Sequence, residues 1–221
     1  MTGSPHALLV VSDTICPWCW IGKRRLDAAI SALAGEGLRF ERRWHPFLLN
    51  PDMPRGGVPR AEYRARKFGS LERSAAMDAR VAAEGAREGL TFRFDRIART
   101  PDTRDSHRLI RLAGEEGGAP LADAVAEALF RAYFEEGRDI GDAGTLAEVA
   151  DAAGLPRARA AAMLGSDEGR AALEEEVGRA AGIGGVPAVI LGRQIVIHGA
   201  QPSHEAVSAL RDASATTPAA D

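Results

Sequence analysis

Two cysteines carry the chemistry that this sequence offers most clearly. Cys16 and Cys19 are the only cysteines among 221 residues, and Pro17 and Trp18 separate them. A disulfide between them would close a four-residue loop, which stabilises a fold by roughly 2 kcal/mol, less than a long-range cross-link would. The spacing therefore indicates a pair that is oxidised and reduced in turn, and it predicts thiol–disulfide exchange.

The position of the two cysteines assigns them different roles. The thiolate is the nucleophile in disulfide exchange, and the N-terminus of a helix favours the thiolate form of a cysteine. Cys16 lies at the predicted start of a helix, so we expect it to attack. Cys19 lies one turn further on the same face, and we expect it to be more buried and to resolve the mixed disulfide. Pro17 and Trp18 should control the turn and shield the sulfur atoms.

The elements around the cysteines form a β-α-β pattern. Residues 7–11 are a continuous apolar run and predict a buried strand. Leu26, Ala29, Ile30 and Leu33 repeat with helical spacing and predict a helix over residues 17–34, which Gly35 and Gly37 end. Pro17 suits the first position of this helix. Residues 38–48 then predict a second strand.

A long helical stretch follows. Prolines and glycines punctuate residues 51–59, and from there to about residue 181 the apolar spacing is mostly helical, with a break indicated at Gly117-Gly118. The arginine-rich residues 60–67 are interpreted as a solvated helix face. The pattern thus predicts several helices and little strand in this part of the chain.

Strands return near the C-terminus. Residues 187–191 and 194–197 predict two strands joined by a turn. Ser203 is the expected N-cap of a last helix that reaches Leu210. Residues 214–221 are rich in alanine, threonine and proline and predict a flexible tail.

The two ends of the chain must meet to complete one sheet, because each supplies only half of it. The sequence therefore predicts an α/β fold, β-α-β … β-β-α, with a large all-helical insertion. The predicted boundaries are residues 1–50 and 182–213 for the discontinuous α/β domain, 51–181 for the helical insertion and 214–221 for the tail.

Composition excludes several classes of function. The formal net charge is −3 and the pI is about 6.0, which argues against a general nucleic-acid binder. No run approaches the ~20 apolar residues of a membrane span, and the N-terminus lacks the pattern of a secretory signal, so we expect a cytoplasmic protein. His45, His107 and His198 are scattered, so no metal site is expected.

The motifs together resemble a known family. C-x-x-C at the first helix, followed after a helical insertion by Val186-Pro187 and two strands, resembles the thioredoxin fold of the DsbA family. Further segments are similar to those of FrnE-type cytoplasmic DsbA-like oxidoreductases, and the resemblance spans residues 8–210. These segments are DTICPWCWIG (13–22), PFLLNP (46–51), HRL (107–109), GIGGVP (182–187) and GAQP (199–202).

The resemblance implies a site beyond the cysteines. Val186-Pro187 is expected to be a cis peptide that faces the cysteines, so that the backbone of Val186 can pair with an extended substrate strand. His107 is expected to support the substrate groove or to have a structural role. The loop before His107 usually carries asparagine in the family, whereas this chain has Asp102. Protein or small-molecule thiols and disulfides are the implied substrates, with no cofactor and with glutathione as a candidate redox partner.

Two other functions compete with disulfide exchange. Kappa-class glutathione transferases and 2-hydroxychromene-2-carboxylate isomerases share the insertion fold but typically carry serine at the attacking position, so the presence of both Cys16 and Cys19 argues against that branch. A non-catalytic binding or folding helper could instead use the groove near Pro187. The sequence specifies neither the direction of electron flow nor an oligomeric state.

Overall fold

The computed structural model describes residues 4–217, which form six strands, eight α-helices and one short 3-10 helix (Phe94–Arg96). The strands are β1 (His6–Ser12), β2 (Phe40–Pro46), β3 (Val58–Pro59), β4 (Arg99–Thr100), β5 (Ala188–Leu191) and β6 (Gln194–His198). The helices are α1 (Pro17–Ala34), α2 (Arg60–Phe68), α3 (Leu71–Arg87), α4 (Arg104–Phe134), α5 (Ala143–Ala152), α6 (Arg157–Leu164), α7 (Arg170–Arg179) and α8 (Ser203–Ser214).

Strands from the two ends of the chain form one sheet in the order β2-β1-β5-β6. β1 pairs in parallel with β2, where Val10 lies opposite Trp44. On its other side β1 pairs antiparallel with β5, where Val10 lies opposite Val189, and β5 and β6 form an antiparallel hairpin. This topology confirms the predicted β-α-β … β-β-α fold with its helical content.

Helix α1 has the predicted bounds. Pro17 occupies its first turn, and the N–H groups of Gly35 and Glu36 close its last turn by donating to the carbonyls of Ala32 and Leu33. Leu26 and Leu33 of its apolar face pack with Leu210 of α8 in one buried cluster. Each such leucine contributes about 1.5–3 kcal/mol through burial, so the face that contacts the sheet fixes the orientation of the helix.

The helices between β2 and β5 surround a second core. Its largest fully buried side chains include Trp20 from α1 and Phe130 and Phe134 from α4. The long helix α4 is interrupted at Gly118, whose φ of 69° and ψ of −168° are not helical, as the paired glycines predicted. The division into an α/β unit and an inserted helical unit stays a prediction.

Three details differ from the predicted elements. Ser203 is not the N-cap, because Pro202 takes that position and Ser203 is the first helical residue, with no side-chain cap. The last helix continues beyond Leu210 to Ser214. Residues 58–59 and 99–100 form a two-residue antiparallel pair that local sequence did not indicate. Of the predicted tail, residues 215–217 form a turn and residues 218–221 lie outside the described residues.

Across residues 4–217, none of the helices has the length and apolarity that a membrane crossing requires.

Candidate functional site

The two cysteines sit at the junction between β1 and α1. Cys16 is the N-cap residue of α1 in an extended conformation, and its backbone N–H donates to the carbonyl of Asp13 at 3.0 Å. The N–H of Cys19 in turn donates to the Cys16 carbonyl at 3.0 Å, which closes the first helical turn. Both thiols are free. The junction thus places the sulfur of Cys16 at the positive end of the helix dipole, as predicted.

The two thiols differ in their surroundings. Cys16 is 5% exposed and Cys19 is 2% exposed. Burial raises the pKa of the Cys19 thiol well above its ordinary value, and its hydrogen bond with Cys16 adds to the rise, while contacts with Ser12 and the Asp13 backbone act in the opposite direction. Cys19 is therefore held in the protonated form, as suits a residue that reacts second.

The loop before β5 closes the site from the other side. The Val186-Pro187 peptide is cis, as the resemblance implied. The Cys16 thiol lies 3.8 Å from the carbonyl oxygen of Val186, within reach of a weak hydrogen bond. Pro187 packs against α1 at Gly22, where a Cβ would come within 2.8 Å of the proline Cγ. Gly22 thus allows the loop to approach the helix.

Asp13 braces the segment between β1 and Cys16. It is fully buried, and its carboxylate accepts the N–H of Leu49 at 2.8 Å and the N–H of Ile15 at 3.4 Å. The ring nitrogen Nε2 of His107 lies 3.5 Å from Oδ1 of Asp13. Asp13 was missed as a site residue, although its place directly after a buried strand and three residues before Cys16 was the available signal.

Two further contacts attach the cysteine segment to α4. Thr14 Oγ1 and Ser106 Oγ are 2.7 Å apart. Because the Ser106 hydroxyl donates to the Thr103 carbonyl, Thr14 is the donor in this pair. Trp20 is 1% exposed, donates from Nε1 to Glu127 at 3.1 Å and stacks with Phe134. These bonds fix the first turn of α1 relative to the inserted helices.

A cleft of about 310 Å³ opens beside Cys16. Pro17, Trp18 and Val186 line it on the side of the cysteines, and α2 and α3 form the facing wall. Trp18 is 39% exposed at its edge. A thiol or disulfide that enters this cleft meets Cys16, whereas Cys19 is not among its lining residues.

The facing wall corrects the prediction for residues 60–67. Arg60 and Arg64 are not solvated: their side chains are only 16% and 15% exposed, and together with Lys67 they line the cleft. The helical spacing of α2 could not show this, because the burial depends on α3 and on aromatic residues far along the chain.

The structure gathers most of the predicted site residues in one place. Cys16, Pro17, Trp18 and Val186 line one cleft, and Cys19 and Pro187 lie directly behind them. His107 is buried on the other side of the cysteine segment, against Asp13, and does not line the cleft. Within residues 4–217, histidine, cysteine and acidic side chains form no cluster of three that could hold a metal ion.

The chain is similar to proteins of one family. The sequence model of the DSBA-like thioredoxin domain matches residues 7–211. A probable DsbA oxidoreductase from Streptomyces coelicolor is 30% identical and superposes with a TM-score of 0.85, over 98% of this chain and 93% of that one. No curated protein gives a significant match.

More distant structures share the fold. The cytosolic disulfide reductase DsbM from Pseudomonas aeruginosa, solved with GSH, is 22% identical with a TM-score of 0.61, over 95% of this chain and 96% of that one. A 2-hydroxychromene-2-carboxylate isomerase is 16% identical with a TM-score of 0.67, over 93% of this chain and 95% of that one.

Proposed function

The chain belongs to the DSBA-like thioredoxin domain family of oxidoreductases, and we propose that it exchanges thiols and disulfides through Cys16 and Cys19. The observation that carries the proposal is the pair of free thiols at the start of α1, with the Cys16 sulfur beside the cleft and 3.8 Å from the carbonyl of Val186. A structural role for two reduced cysteines would require neither the cleft nor the helix terminus.

The reaction proceeds in two exchanges. The Cys16 thiolate attacks one sulfur of a substrate disulfide, forms a mixed disulfide and releases the other sulfur as a thiolate that takes up a proton. The Cys19 thiolate then attacks the Cys16 sulfur, which forms the Cys16–Cys19 disulfide and releases the second substrate thiol. Two electrons pass from the dithiol to the substrate, and the reverse sequence oxidises a substrate dithiol.

Glutathione is the redox partner we propose, and the cytoplasm is the compartment. A cellular thiol pool can re-reduce an active-site disulfide whose first sulfur borders an open cleft, without a dedicated cofactor. The similar fold of a cytosolic disulfide reductase solved with GSH supports this choice. The backbone of Val186, beside Cys16, is the proposed anchor for an extended substrate.

Cysteine variants test the proposal. Cys16→Ser should abolish the reduction of insulin in glutathione buffer, because no nucleophile remains at the cleft. Cys19→Ser should accumulate a mixed disulfide on Cys16, because the resolving thiol is gone, and intact-protein mass spectrometry detects this species. Full insulin reduction by Cys16→Ser would contradict the assignment.

The redox potential of the Cys16–Cys19 pair determines the direction in which electrons pass between the protein and its substrate. Equilibration of the protein in glutathione buffers, followed by alkylation of free thiols, measures the potential of the Cys16–Cys19 pair. A value near that of DsbA, about −120 mV, indicates a disulfide donor, and one near that of thioredoxin, about −270 mV, indicates a reductase. The absence of any reversible disulfide would overturn the proposed function.

A further inference from the structure

The wall of the cleft that faces Cys16 is rich in positive charge. Residues 60–80, which form α2 and most of α3, contain six arginine and lysine residues and only three acidic ones. The chain as a whole has the opposite balance, with 28 basic and 31 acidic side chains. Positive charge thus exceeds negative charge in the segment that supplies the wall of the cleft.

Three of these cations line the cleft with a single acid among them. Arg60 and Arg64 share the carboxylate of Asp78, at 2.8 Å and 2.5 Å. Lys67 donates to the hydroxyl of Tyr63 at 2.6 Å, and among the described residues no carboxylate lies within 4 Å of its ammonium group. The lining therefore retains positive charge that the protein itself does not neutralise.

The two guanidinium groups are held in place before any substrate arrives. The guanidinium of Arg60 lies 5.2 Å from the ring centre of Phe94, and that of Arg64 lies 4.1 Å from the ring centre of Phe68. Arg64 Nε also donates to Ser74 Oγ at 2.7 Å. Burial is the largest influence on Arg64 and lowers its pKa in spite of the nearby Asp78. Fixed cations of this kind bind a carboxylate at a small entropic cost.

We propose that the cleft selects disulfides flanked by carboxylates, and that the preferred substrate is an acidic peptide segment that carries such a disulfide. This inference rests on the proposed function and names the class of substrate for the same site. The edge of the cleft favours a peptide, because Trp18 and Met77 expose 39% and 43% of their surface there and supply apolar contacts beside the charged ones.

Matched peptide disulfides test the selectivity. Fully reduced protein is mixed in a single turnover with three peptides that differ only in the residues beside the disulfide, which are glutamate, glutamine or lysine. The rate of formation of the Cys16–Cys19 disulfide is followed by thiol alkylation. At low ionic strength the glutamate peptide should react about tenfold faster than the glutamine peptide, and the lysine peptide should be slowest. At about 0.5 M NaCl the rates should converge.

Two variants of α2 localise the effect. Lys67→Gln should reduce the ratio of glutamate to glutamine rates about threefold, since Lys67 lines the cleft without a carboxylate partner. Arg66→Gln is the matched control: its side chain is 66% exposed, pairs with Glu62 at 3.9 Å and does not line the cleft, so the ratio should stay within about 1.5-fold of wild type.

Each alternative result has a distinct meaning. Equal rates for the three peptides, or equal effects of Lys67→Gln and Arg66→Gln, would overturn charge selection by the cleft while leaving disulfide exchange intact. Glutathione disulfide is assayed in the same way, and a higher rate with it than with the glutamate peptide would overturn the assignment of a peptide substrate. Failure of exchange in both directions, of the reduced protein with these disulfides and of the oxidised protein with the corresponding peptide dithiols, would instead overturn the proposed function itself.

Discussion

Cys16 and Cys19 are one helical turn apart, but the fold gives their sulfur atoms different access. The sulfur of Cys16 borders the cleft and the carbonyl of Val186, whereas Cys19 is only 2% exposed and contacts Ser12 and the backbone of Asp13. Because an external disulfide reaches only the first sulfur, the order of the two exchanges follows from geometry as well as from the raised pKa of Cys19.

The raised pKa of Cys19 predicts how the second exchange depends on pH. Burial is its largest cause, and we expect Cys19 to stay buried when Cys16 is held in a mixed disulfide. Below the Cys19 pKa the reactive thiolate fraction rises about tenfold per pH unit, so the resolution rate should keep rising with this slope beyond pH 9.0, the ordinary pKa of a thiol. Quenched-flow alkylation of a preformed mixed disulfide measures it. A rate that levels off at or below pH 9 would show that the Cys19 pKa is not raised above its ordinary value of 9.0.

The residues that sequence could identify are those whose role depends on local spacing. Cys16, Cys19 and the Val186-Pro187 dipeptide are adjacent to predicted element ends, so their positions follow from short patterns. Arg60 and Arg64 could not be recognised, because their burial requires Phe94 and Asp78 from other elements. Contacts of this kind with other elements do not change the spacing of apolar residues within the helix, so that spacing cannot reveal them.

At the scale of elements, one arginine connects three parts of the fold. Arg25 of α1 is 8% exposed and donates to Glu88 at 2.6 Å and to the carbonyl of Ala200 at 2.6 Å, and it also pairs with Glu84. Glu84 lies in α3, whose other residues form the wall of the cleft. The arginine therefore sets the distance between the helix that carries the cysteines and the wall that faces them.

Loss of the Arg25 contacts should lower the stability of the fold. Arg25→Gln leaves Glu88 without its cation and leaves Glu84 with only the exposed Arg87, and we expect the free energy of unfolding to fall by about 2–4 kcal/mol. Arg87→Gln is the control, because Arg87 pairs with the same Glu84 at 2.7 Å but is 74% exposed, so its loss should cost less than about 1 kcal/mol. Urea denaturation measures both. Equal losses of unfolding free energy in the two variants would show that the contacts of Arg25 stabilise the fold no more than a surface ion pair does.

The bounds of a helix or strand could be predicted where the local sequence patterns agree, but not where they conflict. Helix α1 was predicted over residues 17–34 because proline, the apolar repeat and the terminal glycine all point to the same bounds. The start of α8 was misjudged because Ser203 has the side chain of a cap, but Pro202 occupies that position. β3 and β4 pair residues that are about 40 positions apart in the sequence. Each strand is only two residues long, which is too short to show the alternation of apolar and polar residues that predicts a strand.

At the scale of the whole molecule, the sheet cannot be completed without the last part of the chain. β1 is an inner strand only because β5 pairs with it. The core beside it combines Leu8 and Val10 with Leu191, Ile197 and Leu210, so half of that core comes from residues after 187.

A truncated chain tests this dependence. Residues 1–181 should show no cooperative unfolding transition by circular dichroism, because β1 would keep an open edge and an exposed apolar face. A chain that ends at Ser214 retains every described helix and strand and should unfold cooperatively with nearly unchanged stability. A cooperative transition in the shorter chain would show that the N-terminal part folds by itself.

The order of the strands also has a consequence in time. β1 is made first, but its partner β5 begins at Ala188. At a synthesis rate of 5–20 residues per second, about 9–35 s pass on the ribosome between the two. Throughout that interval one edge of β1 has no strand to pair with, and Cys16 and Cys19 have already emerged without the loop of Val186 that later covers them. The nascent chain therefore exposes a reactive dithiol before it has a cleft to control which disulfides reach it.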